Sequence, residues 1–269
     1  MDKVISNLLV QIEELRGENR EMQAMAAGSD DEAVLTYFHG RGRAEQTRWL
    51  LAASNIPFKN VCLDTNEQFV EMCKTEQLAF NQLPLLEIDG LKITQSGAMV
   101  RYVARKGGLY GSSHEEAASC DMIAECVSDF APGWLLFFKA DSAEDKRKHI
   151  QESTLPLIAK FAPRLERIVA MNAANSGTPY SVGNSLTYAD IVLADCCTSY
   201  SELLDGEYND GSAGKGWLNE YPALEAVTQL VCALPGVKEY LQSSKRFPFP
   251  GGEVGAAYKA NVWEVLARN

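Results

Sequence analysis

Residues 82–102 read QLPLLEIDGLKITQSGAMVRY and carry the strongest structural signals in the chain. Within this stretch, residues 83–88 and 91–93 are rich in aliphatic side chains, which is typical of two short β-strands. The Asp89-Gly90 pair between them is a strong hairpin signal. Ser96 is a favoured helix N-cap and opens a segment of helical period. The stretch therefore predicts a β-hairpin that leads directly into a helix.

Upstream of this hairpin, the pattern predicts a β-α-β unit that begins near Ala33. Residues 34–38 and 61–63 have the composition of strands, and residues 43–54 between them have helical period. A loose polar stretch then leads to the hairpin. The predicted order is β-α-β-(α)-β-β-α, a small α/β domain.

Downstream of His114, the pattern predicts helices alone. Apolar residues recur there at spacings of three and four, as expected for helices that bury one face. We therefore expect an all-helical domain after the α/β domain. The segments with this spacing are residues 117–138, 143–171, 187–203, 221–234 and 237–243.

The composition limits the classes of partner and the compartment. Of 269 residues, 46% are hydrophobic, and the net charge of −11 argues against the basic face that a nucleic acid or an anionic membrane requires. No apolar run is long enough to span a membrane. The seven cysteines form no CxxC motif and the three histidines are far apart, so no metal site is predicted. Free thiols in a reducing compartment, and hence a soluble cytoplasmic protein, are expected.

Tyr37 is the first candidate for chemistry. It lies at the end of a predicted strand, before a glycine-containing loop and a helix, which places its hydroxyl near a helix N-terminus. A phenol that donates a hydrogen bond to a thiolate stabilises the ionised form and lowers the pKa of the thiol. Ordinary core packing of Tyr37 is the alternative that this pattern leaves open.

Two further elements suit an extended, peptide-like ligand. A proline such as Pro84 at the start of a strand can have a cis bond, which exposes the preceding backbone N–H and C=O to a ligand that adds antiparallel to the edge. The N–H, hydroxyl and helix dipole at Ser96 suit a carboxylate. Taken singly, each element has an alternative interpretation, which is an ordinary trans proline for Pro84 and a plain helix N-cap for Ser96.

Together, these elements resemble the cytosolic glutathione S-transferases of the tyrosine type, which are the alpha, mu, pi and sigma-like classes. The resemblance covers roughly residues 33–250. In the α/β part, the matching motifs are YFxxRGRAE (37–45), RWLLA (48–52), QLPxLEIDG (82–90) and QSxAxxRY (95–102). In the helical part they are Asp121-Met122 with Asp129, and Thr187-Tyr188-Ala189-Asp190.

The resemblance implies a chain of the α/β plus all-α class with two domains. Residues 33–112 would form a thioredoxin-like βαβ-ββα domain that binds glutathione. Residues 113–269 would form the all-helical C-terminal domain of a glutathione transferase. Residues 1–32 lie outside the resemblance; the helical period of residues 1–24 and the small, acidic residues 25–32 predict a helical extension and linker.

The resemblance also implies an activity. The protein would conjugate reduced glutathione, its co-substrate, to small hydrophobic electrophiles. Tyr37 would stabilise the thiolate, and Arg43 would support the electrostatics around the sulfur. The alternatives are a glutathione-dependent isomerase similar to the prostaglandin isomerases, and a non-catalytic binding or structural protein of the same fold. An intact Tyr37 and proline motif counts against the non-catalytic alternative.

The same resemblance implies how the rest of glutathione is held. Gln82 and Leu83 would bond its peptide backbone, with Pro84 in the cis form. Gln95 and Ser96 would hold its γ-glutamyl end. In addition, Lys74 would reach its glycyl carboxylate.

A homodimer completes the implied site. Asp129 would approach the γ-glutamyl ammonium from the other subunit. Phe80 lies where several classes place an aromatic side chain that enters the partner subunit.

The N-terminal extension has a separate pattern. Its apolar residues follow the alternating three–four spacing of heptad core positions, and Asn19 falls at a position that specifies register in a parallel coiled coil. A coiled coil, a docking helix for another protein and a frayed surface helix are the three interpretations of residues 1–24. The core-spaced residues are Ile5, Leu8, Ile12, Leu15, Asn19 and Met22.

Overall fold

The computed structural model describes residues 32–206, 209 and 214–267 of the chain. The helix predicted within residues 1–24, and the linker that follows it, lie outside the described residues.

The first part of the structure is a four-stranded mixed sheet with the strand order β2-β1-β3-β4. β1 pairs parallel with β2 and antiparallel with β3, and β3 pairs antiparallel with β4. The parallel pair requires a crossover helix between its strands, and three helices complete this part, so the predicted thioredoxin-like order is confirmed. The elements are β1 (Ala33–Tyr37), α1 (Glu45–Ala53), β2 (Phe58–Cys62), α2 (Asn66–Lys74), β3 (Leu85–Ile88), β4 (Leu91–Thr94) and α3 (Ser96–Lys106).

The turn between β3 and β4 has the two-residue form that the sequence predicts. Asp89 and Gly90 have φ angles of 53° and 74°. Ile88 pairs directly with Leu91 across the turn. Positive φ at both central residues matches the twist of the strands, which explains the preference for Asp-Gly here.

The second part is helical, as predicted, but two predicted helices are interrupted. The segment 117–138 breaks at Pro132, because proline has no N–H to donate to the preceding turn. The segment 143–171 contains a π-helical turn at Ile150–Thr154. The α-helices are α4 (His114–Phe130), α5 (Pro132–Leu135), α6 (Ala143–His149), α7 (Leu155–Ser176), α8 (Tyr188–Asp205), α9 (Pro222–Ala233), α10 (Pro235–Gln242) and α11 (Gly252–Val265).

α8 lies at the centre of the molecule and contacts α1, α4 and α9. Its first turn is fixed by a capping box, in which the buried Asp190 carboxylate accepts the backbone N–H of Thr187 at 2.7 Å. The same carboxylate accepts the N–H and hydroxyl of Ser181 at 2.6 and 2.7 Å. These donors satisfy a carboxyl group that would otherwise be costly to bury. The capping box predicted at Thr187–Asp190 is therefore confirmed, and it is structural.

α11 was not predicted from the sequence. This helix contacts α2 and the segment Phe137–Lys139, and so returns the end of the chain to the first domain. No helix within the described residues has the length and apolar character needed to cross a membrane.

Candidate active site

A cavity of about 790 Å³ lies between the sheet domain and the helical domain. One wall is formed by the end of β1, the segment before β3 and the start of α3. The opposite wall comes from α4, α5 and the residue after α11. The predicted site residues that line it are Tyr37, Arg43, Gln82, Leu83, Pro84, Gln95 and Ser96.

Two predicted site residues do not line this cavity. Lys74 is the last residue of α2 and is exposed. Asp129 is exposed near the end of α4. The structure therefore brings seven of the nine predicted residues to one cavity and leaves Lys74 and Asp129 outside its lining.

The hydroxyl of Tyr37 is held at the start of a helical segment. The Tyr37 side chain is buried, and its oxygen accepts the backbone N–H of Arg43 at 3.1 Å. Gly42 lies between them in sequence with φ of 42°, and a Cβ atom there would lie 2.5 Å from the Tyr37 oxygen. Only glycine leaves room for the hydroxyl at this position.

The loop after β1 is shaped by the fully buried Arg48. Its Nη1 donates to the carbonyl oxygens of Gly40 at 3.1 Å and Arg41 at 3.2 Å. The same nitrogen is 3.0 Å from the carboxylate of Glu45, and the guanidinium packs over the ring of Phe247 at 4.8 Å. A buried charge with this many partners orders the chain around it. These contacts fix the backbone of the loop that carries Gly42.

The segments around Pro84 and Ser96 line the same cavity. The Leu83-Pro84 bond is cis, as expected. The Gln95 side chain donates to the Gln82 side chain at 2.8 Å, which links the two motifs. Gln95 also has φ of 71°, a backbone region that non-glycine residues rarely occupy and that is concentrated at ligand sites.

The lining of the cavity combines polar and apolar side chains. The amides and hydroxyl of Gln82, Gln95 and Ser96 supply hydrogen-bonding groups. Apolar and aromatic side chains form another part of the lining. Such a combination suits a ligand with a polar peptide part and a second, apolar molecule. The apolar lining residues are Phe38, Leu83, Pro84, Val100, Ala124, Ala131, Pro132, Trp134, Leu135, Val192 and Leu266.

The last helix contributes to the site in a way that sequence reasoning missed. Tyr258 of α11 donates from its hydroxyl to the hydroxyl of Tyr37 at 3.5 Å. Leu266, which follows α11, lines the cavity. The sequence signal that could have pointed to this helix is weak, since it opens on Gly251-Gly252 and its apolar residues form no clear stripe.

The chain's own cysteines do not supply a thiolate. Burial raises the pKa of every cysteine thiol, and it raises the pKa of Cys120 to about 11. These thiols are therefore protonated and weakly nucleophilic at neutral pH. Among the described residues, no group of three or more His, Cys, Asp or Glu side chains is arranged to hold a metal ion. A reactive sulfur at Tyr37 would have to come from a bound molecule.

Comparison with known proteins agrees with this geometry. Residues 33–105 match the family model of the glutathione S-transferase N-terminal domain, and residues 128–244 match that of the C-terminal domain. Glutathione S-transferase 3 of Gallus gallus is 35% identical over 216 residues, covering 80% of this chain and 88% of that protein. Glutathione S-transferase A3 of Mus musculus is 34% identical over 217 residues, covering 80% of this chain and 91% of that protein.

Solved structures show the same relationship. The glutathione S-transferase from Ascaris lumbricoides superposes with a TM-score of 0.63 at 29% identity, covering 78% of this chain and 96% of that one. The monomeric glutathione S-transferase Na-GST-3 from the hookworm Necator americanus has a TM-score of 0.63 at 27% identity, with coverages of 80% and 98%. Family models, curated relatives and fold agree, and the chain belongs to the glutathione S-transferase family.

Proposed function

We propose that this enzyme joins reduced glutathione to small hydrophobic electrophiles, with Tyr37 stabilising the glutathione thiolate. The observation that carries the proposal is the convergence of Tyr37, the cis Pro84 segment and Ser96 on one cavity whose lining also includes apolar and aromatic side chains. A core tyrosine without a catalytic role would have no reason to lie beside peptide-binding and carboxylate-binding elements.

Glutathione would lie extended along the polar wall. Its γ-glutamyl carboxylate would reach Ser96 at the N-terminus of α3, where free N–H groups and the helix dipole favour an anion. Its peptide backbone would pair beside Gln82 and Leu83. This placement brings the cysteinyl sulfur toward Tyr37 and Arg43.

The chemistry is a nucleophilic attack by sulfur. The O–H of Tyr37 donates to the thiolate, and the Arg43 guanidinium adds positive charge, so that the ionised form predominates near neutral pH. A C–S bond forms at the electrophilic carbon. In a substitution a halide leaves with the electron pair, and in an addition the pair moves onto a conjugated carbonyl and is protonated by water. Binding both molecules in one cavity supplies the proximity.

The acceptor would bind against the apolar side chains of the lining. Phe38, Trp134 and Leu266 present rings and aliphatic groups there, and such surfaces favour hydrophobic and planar acceptors. We therefore propose a role in the detoxification of hydrophobic electrophiles in the cytoplasm.

We further propose that the enzyme is a homodimer. Phe80 and Met122 are 64% and 61% exposed in the single chain, which is unusual for large apolar side chains. Asp129 is exposed as well, as a residue that completes a partner's site would be. In this arrangement Asp129 reaches the partner's glutathione, and Lys74 approaches the glycyl carboxylate from the rim of the cavity.

The full-length protein can be tested on a glutathione resin and in a conjugation assay with a chlorodinitrobenzene-type acceptor. Tyr37→Phe keeps the ring and removes one hydrogen bond to a charged partner, worth about 1.5–3 kcal/mol. We expect turnover to fall by about ten- to a hundredfold, with the bound thiol ionising at higher pH and glutathione affinity changing much less. Failure to bind and conjugate glutathione would refute the function, and unchanged turnover in Tyr37→Phe would refute the role of Tyr37.

A further inference from the structure

We infer that Tyr258 is a positioning residue for the thiolate, because its hydroxyl donates to the oxygen of Tyr37 and so directs the proton of Tyr37 toward the sulfur of the co-substrate. The inference rests on the proposed function, and it assigns a role in that chemistry to the last helix of the chain.

The first support is the geometry around the Tyr37 oxygen. Two donors converge on it, the backbone N–H of Arg43 at 3.1 Å and the hydroxyl of Tyr258 at 3.5 Å. Tyr258 is buried and does not line the cavity, whereas Tyr37 does. Tyr258 therefore acts on the ligand only through Tyr37.

The second support is the hydrogen-bonding capacity of a phenol. A tyrosine hydroxyl has one proton to donate and two lone pairs that accept. With both lone pairs of Tyr37 occupied by Arg43 and Tyr258, its oxygen can offer the cavity only a donor. A neutral thiol needs an acceptor for its S–H, whereas a thiolate needs a donor. The arrangement therefore favours the ionised form of the co-substrate over the neutral one.

The third support is the packing that fixes the Tyr258 ring. A Cβ atom on Gly40 would lie 2.4 Å from Tyr258 Cδ2, and one on Gly42 would lie 2.4 Å from its hydroxyl oxygen. The ring of Phe138 packs edge-on against it, with centroids 5.0 Å apart. Two glycines in the loop after β1 thus admit the second tyrosine, and its hydroxyl has little freedom to point elsewhere.

Burial keeps the Tyr258 hydroxyl a donor. Burial raises the pKa of Tyr258 well above its usual value, and the neighbouring Tyr37 raises it further, against the opposing effect of the Arg48 and Arg43 cations. The Tyr258 hydroxyl therefore remains protonated throughout the pH range of an activity assay.

The test is Tyr258→Phe in the full-length enzyme, which keeps the ring and its packing. We expect kcat/KM near neutral pH to fall about two- to tenfold, as for the loss of one neutral hydrogen bond. The pH profile and the ultraviolet absorbance of the bound thiolate should both shift to higher pH, while the KM for glutathione and the melting temperature stay close to the parent. Tyr221→Phe, which removes a hydroxyl remote from the cavity, is the matched control.

A double-mutant cycle separates this inference from a purely structural role. In the Tyr37→Phe background, Tyr258→Phe should have no further effect on the pH profile, because its acceptor is absent. An unshifted profile in Tyr258→Phe, or an equal loss in both backgrounds, would overturn the inference while leaving the proposed function intact. Unchanged activity in Tyr37→Phe alone would instead overturn the proposed role of Tyr37, and this inference with it.

Discussion

Asn261 Oδ1 accepts a hydrogen bond from the backbone N–H of His39 at 2.9 Å, although the two residues are 222 positions apart. The Nδ2 atom of the same side chain donates to the carbonyl oxygen of Leu63 at 2.8 Å. One amide thus connects α11 to the loops after β1 and after β2. This connection is one of the contacts that hold α11, with Tyr258, against the first domain.

Asn261→Ala should therefore loosen α11. It leaves two backbone groups without their protein partners, and we expect a loss of about 1–3 kcal/mol in the free energy of unfolding. Amide hydrogen exchange should accelerate in residues 252–265, and the KM for the acceptor should change more than that for glutathione. Glu264→Ala, at an exposed position on the same helix, is the control. Unchanged exchange in the Asn261 variant would contradict the prediction.

Asp121 is expected to make stability depend on acidic pH. Its carboxylate accepts hydrogen bonds from Arg101 at 2.8 Å, from Tyr110 at 2.9 Å and from Tyr188. Burial acts to raise the pKa of Asp121, but these donors outweigh it and the pKa is lowered. Because the pKa of Asp121 is lower in the folded state, its carboxylate stabilises the fold at pH values above its pKa in the unfolded chain. This stabilisation is lost as the pH falls through its pKa in the folded state.

Asp121→Asn removes the charge and keeps the size. We expect the free energy of unfolding to fall by about 1–2 kcal/mol at pH 7. This is a small loss for a network of charged groups, because the Asp121 carboxylate is partly exposed to water. The difference from the parent should shrink as the pH falls below about 4. Urea unfolding at neutral and acidic pH measures it, with the exposed Glu253→Gln as control. A difference that is constant with pH would show that the charge is unimportant.

Much of the fold is predicted by local sequence signals. Where the sequence-based prediction missed a helix or a break, the reason can be given for the residues concerned. Asp89-Gly90 predicts its hairpin because a two-residue turn has strict backbone requirements. The break at Pro132 is also a local effect, but the helical spacing of the apolar residues continues across it, so periodicity alone hides the break. α11 gives little periodic signal, because it lies across several surfaces rather than burying one stripe.

The site also contains residues that the sequence predicts and one that it does not. Tyr37, Pro84 and Ser96 occur in ordered motifs, the resemblance assigns them to one site, and they line one cavity. Tyr258 reaches Tyr37 across 221 positions of sequence. No sequence pattern near Tyr258 predicts this contact. It is seen only in the structure, where the lack of side chains at Gly40 and Gly42 leaves room for the Tyr258 ring.

Lys74 offers a direct test of an assignment that depends on resemblance. Its exposed side chain lies outside the cavity lining, so it can contribute only through a solvated ion pair with the glycyl carboxylate. Such pairs are worth less than about 1 kcal/mol. Lys74→Ala should therefore raise the KM for glutathione about two- to fivefold with kcat unchanged. The exposed Lys59→Ala is the control, and an unaltered KM would remove Lys74 from the site.

Phe80 tests the dimer. The ring is 64% exposed in the single chain, so Phe80→Ala should not lower the stability of an isolated subunit. If the ring fills a pocket of the partner, its loss costs about 3–5 kcal/mol of association. Sedimentation should then show monomers, and glutathione affinity should fall because Asp129 of the neighbour is withdrawn. Met171→Ala, which removes another exposed apolar side chain, is the control. A variant that remains dimeric with full affinity would exclude this role, and a monomeric parent enzyme would exclude the dimer.

Residues 1–30 are expected to be dispensable for catalysis. The site motifs begin only at Tyr37, and the Gly28-Ser29-Asp30 segment separates the extension from β1. A protein that starts at Met25 should keep its glutathione affinity and most of its turnover, with lower helical content by circular dichroism, since the removed residues are good helix formers. A coiled coil in the extension would add a loss of thermal stability that depends on protein concentration, whereas a docking helix would leave the isolated enzyme equally stable. A large loss of turnover would show that the extension folds over the active site.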